Sequence, residues 1–303
     1  MIDLSVNVAG VTFKNPIIAA SGTFGFGREY SSLFPLSDLG GVSLKGTTLK
    51  ERPGNPPSRI AETPAGMLNS VGLQNPGIDH LLKDDLPWLS EQDTVLIANI
   101  AGEEISDYVA VAEKINDTAI HMVEMNISCP NVKKGGITMG TLPENVAAVT
   151  KAVRAVCKKP LTVKLSPNVT DIVSIAKAAE SEGADALSLI NTLTGMRIDI
   201  NTRRPILRNN IGGLSGPAVF PVALRMVYQV SRAVGIPVIG MGGVTTWEDA
   251  VEMLMAGASA LQIGTALFTD AYAPQKILEG LTQYCEQKNI ARVAELTGTV
   301  EPW

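Results

Sequence analysis

The sequence predicts an α/β fold in which eight parallel strands close into a (β/α)8 barrel, with inserted loops at one end. Short runs rich in Val, Ile and Leu recur eight times, segments of helical character separate them, and no repeat or low-complexity stretch interrupts the alternation. Buried strands that alternate with helices are typical of parallel sheets, and a count of eight favours closure over the alternative, an open doubly wound sheet. With 303 residues, 45% of them hydrophobic and 18% charged, the chain can bury a large core as one domain, residues 1–303.

The predicted strands are short apolar runs bounded by turn residues. Such runs are typical of strands that are buried on both faces. In chain order they are 16–21 (PIIAAS), 41–45 (GVSLK), 94–100 (TVLIANI), 121–127 (HMVEMNI), 161–165 (LTVKL), 186–191 (ALSLIN), 236–241 (IPVIGM) and 260–264 (ALQIG).

Two helices are the clearest of those predicted between the strands. In 144–158, valines recur three and four residues apart, which marks one apolar face, and Pro143 suits the helix start. The segment 170–182 begins at Thr170, predicted as its N-cap, and ends before Gly183. The valines of the first helix are Val146, Val149, Val153 and Val156.

Two loops are longer than a barrel requires. About 48 residues separate the second and third strands, and about 25 separate the sixth strand from its helix. Long insertions in compact domains are usually lids or binding loops. Both follow strand ends, so we expect them at the carboxyl face, where barrel enzymes place their active sites.

Polar residues cluster where the apolar strands end. A barrel built only for stability does not need that placement, whereas a polar, partly anionic ligand bound at the carboxyl face would explain it. The residues at these strand ends are Ser21, Lys45, Asn99, Asn126, Lys164, Asn191, Gly242, Gly243, Gly264 and Thr265.

Glycine-rich turns follow the seventh and eighth strands, in IGMGGVTTWEDA and IGTALF. Backbone N–H groups and helix N-termini at this position form the usual phosphate site of such barrels. A Gly-Gly pair alone is equally compatible with a tight turn, and its position after the seventh of eight strands favours phosphate.

Lys164 lies within the apolar stretch LTVKLSP. A lysine on a barrel strand points either into the core or at the site. Two functions suit it there: a cation beside the electron-rich N1–C2 region of a flavin, or a Schiff-base amine. Lys45, in VSLKGTT, poses the same choice.

Cys129 is the cysteine best placed for chemistry. It lies in NISCPNVKKGGITMG, residues 126–140, which leaves the fourth strand and carries two lysines. A base in this loop can reach a substrate proton, and loop closure can exclude water. Buried cysteines are usually inert, which is our interpretation of Cys157, placed on a helix, and of Cys285. From the residues alone, a catalytic role and an inert role for Cys129 are equally compatible with the sequence.

Charge and composition exclude several partner classes. A net charge of −5 and a pI near 5.2 do not indicate a nucleic-acid partner or an anionic membrane surface. No apolar run reaches the ~18 to 20 residues of a membrane span. The start, MIDLSVNVAGVTFKNP, does not look like a secretory signal, so we expect a cytoplasmic protein. Three widely spaced cysteines and two histidines predict no disulfide framework, no iron–sulfur cluster and no bound metal in this chain.

Five segments carry a family signature in order along essentially the whole chain. Together they resemble dihydroorotate dehydrogenase. The forms ETPAGMLNSVGLQNPG and ASGTFGFGREY are similar to the catalytic subunit of the NAD-linked type, class 1B. The five segments are ASGTFGFGREY (20–30), KGTTLKERPGNPPSR (45–59), NSVGLQNPG (69–77), NISCPNV (126–132) and IGMGG (239–243).

The resemblance implies oxidation of (S)-dihydroorotate to orotate in de novo pyrimidine biosynthesis, with FMN as the hydride acceptor. Cys129 occupies the place of the catalytic base, which would remove the C5 proton while hydride leaves C6 for the flavin N5. Membrane-bound class 2 enzymes have a similar segment but carry serine at the position of Cys129, so the cysteine indicates class 1. The implied substrate positions are Lys45, Asn69, Ser70, Val71, Gly72, Leu73, Asn126, Asn131, Asn191 and Thr192. Val71 is a small departure, because class 1A enzymes tend to have Met there.

The resemblance also implies an FMN site built largely from the strand ends. Its positions in this sequence are Ser21, Lys45, Gly46, Asn99, Asn126, Lys164, Ile190, Gly216, Gly242, Gly243, Gly264 and Thr265.

Finally, the resemblance implies a partner. In class 1B, two FMN barrels pair with two electron-transfer subunits that carry FAD and a 2Fe–2S cluster and pass electrons to NAD. Three cysteines cannot hold such a cluster in this chain. The alternatives are a class 1A homodimer that uses fumarate, a Schiff-base aldolase built on Lys164, and a non-catalytic subunit that binds a phosphorylated ligand.

Overall fold

The computed structural model describes residues 2–127 and 139–303. Eight parallel strands form a closed barrel in which each strand pairs with the next along the chain and the eighth pairs with the first. The predicted (β/α)8 barrel is therefore confirmed, and the open sheet is wrong. The barrel strands are Ile17–Ala19, Gly41–Ser43, Val95–Ile100, Met122–Asn126, Leu161–Lys164, Ala186–Leu189, Val238–Met241 and Ala260–Ile263.

Every residue of these eight strands is buried. One face of each strand fills the barrel and the other packs under helices, which explains why the strands read as unbroken apolar runs. The few polar residues on these strands are therefore also buried inside the protein. The register places Lys164 beside Asn126 on one side and Ser188 on the other.

Helices surround the barrel. Among the described residues, none is long and apolar enough to cross a membrane. The α-helices are Ser21–Phe24, Ile78–His80, Leu86–Leu89, Ile105–Ile115, Pro143–Arg154, Ile172–Ser181, Phe220–Ser231, Trp247–Met255, Ala266–Thr269 and Ala273–Gln287; a π-helical turn spans Leu81–Asp85, and 3-10 turns span Tyr30–Ser32, Leu36–Asp38, Pro217–Val219 and Val293–Leu296.

The predicted N-cap Thr170 is wrong by one residue. The helix spans Ile172–Ser181, and the side chain of Asp171 accepts hydrogen bonds from the backbone N–H groups of Val173 and Ser174. A carboxylate both satisfies these N–H groups and complements the positive end of the helix dipole, so it outcompetes the neighbouring hydroxyl.

The helix predicted over 144–158 starts as expected at a proline but ends earlier, spanning Pro143–Arg154. The Arg154 guanidinium donates to the backbone carbonyls of Cys157 and Lys159, which fixes the turn towards the fifth barrel strand. Cys157 therefore lies beyond the helix rather than on it. Cys157 and Cys285 are both buried and free, as interpreted from the sequence.

The two long loops build one antiparallel sheet, which we call the cap sheet. The loop after the second barrel strand contributes two of its strands and the loop after the sixth contributes the other two. In spatial order the strands are Leu193–Gly195, Gly212–Ser215, Gly66–Asn69 and Ile60–Thr63. Two further hairpins pair Val6–Val8 with Val11–Phe13 and Ile198–Asp199 with Arg204–Pro205.

Candidate active site

A cleft lies where the carboxyl ends of the barrel strands meet the cap sheet. Its cavity volume is about 250 Å³, and the cleft is partly open to solvent.

Most residues that the sequence suggested for a site line this cleft. Ser70 is an exception, because it is fully buried behind the lining residues. Cys129 and Asn131 lie outside the residues that the structure describes. The suggested residues that line the cleft are Ser21, Lys45, Gly46, Asn69, Val71, Gly72, Leu73, Asn99, Asn126, Lys164, Ile190, Asn191, Thr192, Gly216, Gly242, Gly243, Gly264 and Thr265.

A buried carboxylate lies beneath the cleft, at the centre of the barrel. Glu124, on the fourth strand, is fully buried. Its Oε2 accepts hydrogen bonds from Ser43 Oγ at 2.8 Å and Asn99 Nδ2 at 2.6 Å. Its Oε1 accepts from Ser188 Oγ at 2.8 Å and Gln262 Nε2 at 2.6 Å. The second, third, sixth and eighth barrel strands thus each donate one hydrogen bond to a single carboxylate across the barrel interior.

Lys164 supplies the charge that opposes Glu124. Its Nζ lies 4.0 Å from Glu124 Oε2, and both side chains are almost wholly buried. Burial alone raises the pKa of Glu124, but the Lys164 ammonium and the hydrogen bonds from Ser188, Asn99 and Ser43 together hold that pKa below its ordinary value. Glu124 is therefore ionised at neutral pH. We call Ser43, Asn99, Glu124, Lys164, Ser188 and Gln262 the polar layer.

Asparagine side chains line another part of the cleft. Asn191 Nδ2 donates to Asn126 Oδ1 at 3.2 Å, and Asn191 Oδ1 accepts from the backbone N–H of Thr192 at 2.8 Å. Asn69 Nδ2 reaches the backbone carbonyl of Gly213 in the cap sheet at 3.4 Å. Each amide both donates and accepts, which suits a planar ring of alternating carbonyl and N–H groups.

Glycines bring backbone segments together at the end of the seventh strand. Gly216, Gly242 and Gly243 have φ angles of +99°, +120° and +80°. A Cβ on Gly243 would lie 2.8 Å from the carbonyl oxygen of Gly216, so no larger residue fits without a backbone shift. Beside them, Thr265 Oγ1 and Ser215 Oγ are 2.7 Å apart. A backbone-lined concavity with hydroxyl groups at its edge suits a phosphate.

The polar layer also suits a cofactor ring. Asn99 Oδ1 and Gln262 Oε1 are buried and have no hydrogen-bond partner among the described residues. Both residues line the cleft together with Lys164. Unsatisfied buried carbonyl groups are costly, and ring N–H groups of a bound ligand would satisfy them. Together with the phosphate concavity, these groups fit the FMN that the sequence led us to expect.

The sequence interpretation missed several residues. Glu124 and Gln262 carried a signal that was available, because each is a polar residue in the middle of an otherwise apolar strand, in HMVEMNI and ALQIG. Other lining residues come from the cap sheet, from loops or from the short helix Ala266–Thr269, where no strand-end position marks them. Among these are Met67, Ser215, Thr245 and Phe268.

Comparison with known families agrees with this geometry. The family model described as dihydroorotate dehydrogenase matches residues 3–285. A relative from Alkaliphilus oremlandii, named dihydroorotate dehydrogenase B (NAD(+)), catalytic subunit, is 56% identical over 296 residues, covering 98% of each chain. A relative of the same name from Petrotoga mobilis is 53% identical over 300 residues, covering 99% of this chain and 100% of that one.

A solved structure shares the fold. A DHODH from Eimeria tenella, crystallised in complex with ferulenol, superposes with a TM-score of 0.81 over 98% of this chain and 88% of the other. At 22% sequence identity, this similarity is one of fold.

Proposed function

The chain belongs to the dihydroorotate dehydrogenase family, and from this membership we propose that it is a single-domain catalytic subunit of the NAD-linked class. It oxidises (S)-dihydroorotate to orotate in pyrimidine biosynthesis. The proposal rests on one cleft that combines a phosphate concavity, a buried lysine and a set of amides. The chain that forms this cleft is 53–56% identical to curated catalytic subunits over nearly their whole length. The names of these relatives favour the NAD-linked class over the fumarate-dependent class 1A.

The residues of the cleft fit FMN. Its phosphate would lie against the backbone of Gly216, Gly242 and Gly243, with Thr265 beside it. Its ring would meet the polar layer, where Lys164 would act as a fixed cation and the two amide oxygens would accept from the ring N3–H and from a ribityl hydroxyl group. The remaining residues proposed to hold it are Ser21, Lys45, Gly46, Asn99, Asn126, Ile190 and Gly264. When bound, FMN supplies the acceptor for the hydride that leaves C6 of dihydroorotate.

The asparagines would hold the substrate. Asn69, Asn126 and Asn191 line the cleft and offer both donors and acceptors to the ring of dihydroorotate. Lys45 would oppose the negative charge of the substrate carboxylate. Because the hydrogen bonds to Thr192 and Gly213 orient two of these amides before binding, little rotamer freedom is lost on binding.

Cys129 is the proposed catalytic base, and Asn131 a further substrate residue. Both assignments rest on the family pattern NxSCPN in residues 126–131. A thiolate at this position would take the C5 proton of the substrate. Positioned bases typically contribute ~10²- to 10⁴-fold to a rate.

A partner subunit would carry the electrons onward. The relatives are named as catalytic subunits of an NAD(+) enzyme, which supports a second subunit that reacts with NAD. We propose that this subunit holds FAD and a 2Fe–2S cluster and that two of each chain form a heterotetramer. Two buried, free cysteines support a reducing compartment, the cytoplasm.

The test is spectroscopic. The purified chain should carry FMN and be yellow, and anaerobic dihydroorotate should bleach its flavin absorbance when the two are mixed in a stopped-flow instrument. Orotate is the matched control, since it should perturb the spectrum by binding without bleaching it. A chain that binds FMN but is not bleached by dihydroorotate would contradict the assigned substrate, and a chain that binds no FMN would contradict the whole proposal.

A further inference from the structure

Glu124 lies beneath the members of the polar layer that face the cleft. It is fully buried and does not line the cleft, whereas Asn99, Lys164 and Gln262, which it contacts, do. We propose that Glu124 is a positioning residue for the flavin. It holds these three side chains in the orientation that meets the flavin ring, and its negative charge lowers the reduction potential of the flavin. The inference rests on the proposed FMN site.

The orientation argument follows from what a carboxylate can accept. The two ends of a carboxamide have almost the same shape, so packing alone does not decide which end faces inward. An ionised carboxylate only accepts hydrogen bonds, and both its oxygens receive an NH₂ group, one from Asn99 and one from Gln262. The amide oxygens are thereby left for a ligand, and they are the atoms without a partner among the residues described. Glu124 therefore orients the amides of Asn99 and Gln262 so that their oxygens remain available to a ligand as hydrogen-bond acceptors.

A neutral side chain of the same shape cannot do this. In a Glu124→Gln variant, one end of the new amide is a donor, and it would face the NH₂ group of either Asn99 or Gln262. The hydroxyls of Ser43 and Ser188 can rotate to accept instead, but an NH₂ group cannot. One of the two cleft amides must then rotate and present NH₂ where an acceptor is expected.

The charge argument concerns the same carboxylate. Reduction of a flavin adds negative charge to its ring, and charges in a buried site act with little screening. Lys164 favours that added charge, while Glu124, 4.0 Å from the ammonium, opposes it. The reduction potential of bound FMN should therefore rise when the charge of Glu124 is removed and fall when the charge of Lys164 is removed.

The experiment compares the FMN dissociation constant of the apo chain and the two-electron potential of bound FMN in four variants. Glu124→Gln should bind oxidised FMN at least about tenfold more weakly, as expected when a charge-assisted hydrogen bond is lost. Its ratio of oxidised to reduced FMN dissociation constants should rise about tenfold, which is about +30 mV for a two-electron couple. Lys164→Met should shift the potential in the opposite direction. Glu124→Asp keeps the charge but cannot span both amides, so FMN binding should weaken while the potential stays near that of the wild type.

Thr162→Val is the matched control. Thr162 pairs with Glu124 in the barrel register, is fully buried, and its Oγ1 has no hydrogen-bond partner among the described residues. The substitution alters the barrel interior next to Glu124 without removing a hydrogen bond of the polar layer, so FMN affinity and potential should match the wild type.

Two results would overturn the inference. One is a Glu124→Gln variant with wild-type FMN affinity and potential, and the other is a shift of Glu124→Gln in the same direction as Lys164→Met. If Glu124→Gln does not fold, wild-type FMN affinity in Glu124→Asp overturns the positioning role by itself. Failure of the wild-type chain to bind FMN would instead contradict the proposed function, so the two failures are distinguishable.

Discussion

Lys164 shows how the partner of a residue decides its chemistry. A Schiff-base lysine needs a neutral amine that is free to attack a carbonyl group. The Nζ of Lys164 instead lies 4.0 Å from the fully buried carboxylate of Glu124, with which it forms an ion pair inside the barrel. The structure thus supports the electrostatic role and disfavours the aldolase alternative, which the sequence had left open.

The proposed base can be tested at the same scale. Cys129→Ala should still bind FMN and orotate, but dihydroorotate should bleach its flavin at least about a hundredfold more slowly, because no positioned base takes the C5 proton. Cys129→Ser should be intermediate at high pH. Anaerobic stopped-flow absorbance measures the rate.

Cys157→Ala is the control for this series, since Cys157 is buried after a helix and does not line the cleft. It should react at the wild-type rate. Near wild-type bleaching of the Cys129→Ala variant would remove Cys129 from the chemistry.

At the scale of elements, the cap sheet brings the substrate residues together. Asn69 ends one of its strands and pairs with Gly213, while Asn191 and Thr192 come just before the strand Leu193–Gly195. These residues are more than a hundred positions apart in sequence, yet the sheet places them over one cleft. The two long loops therefore act as one structural unit.

The helix that follows the fifth barrel strand offers a test of an element boundary. Asp171→Ala should lower the free energy of unfolding by about 1 kcal/mol, because the N–H groups of Val173 and Ser174 lose their acceptor. Thr170→Ala should change it by less than about 0.5 kcal/mol, as expected for an exposed residue without a cap role. Urea unfolding measures both, and equal losses in the two variants would contradict the assignment of the cap to Asp171.

At the scale of the whole molecule, we propose that the electrons leave through a second subunit. No G-x-G-x-x-G segment follows a strand with an acidic residue about 20 positions later, so the sequence lacks the usual dinucleotide-binding motif. The FMN proposed for the cleft would therefore pass electrons to a cluster of the partner.

This dependence predicts how acceptors behave. The purified chain with dihydroorotate should reduce artificial dyes but not NAD, and fumarate should be a poor acceptor. Addition of the proposed partner subunit, with FAD and a 2Fe–2S cluster, should start NAD reduction, which the absorbance of the NADH formed would measure. NAD reduction by the chain alone would refute the inference from missing motifs, and rapid fumarate turnover would move the chain to class 1A.

The barrel, the strand ends that line the cleft and the family could all be predicted from the sequence, because apolar periodicity and motifs are local properties of the chain. Only the folded chain shows which distant groups share one hydrogen-bonding network. Glu124 receives hydrogen bonds from Ser43, 81 residues away, and from Gln262, 138 residues away. Barrel closure brings these strands together, and it also joins two separate loops into the cap sheet. Local pattern cannot show such partners, because the strands that carry them come together only when the barrel closes and removes their polar groups from water.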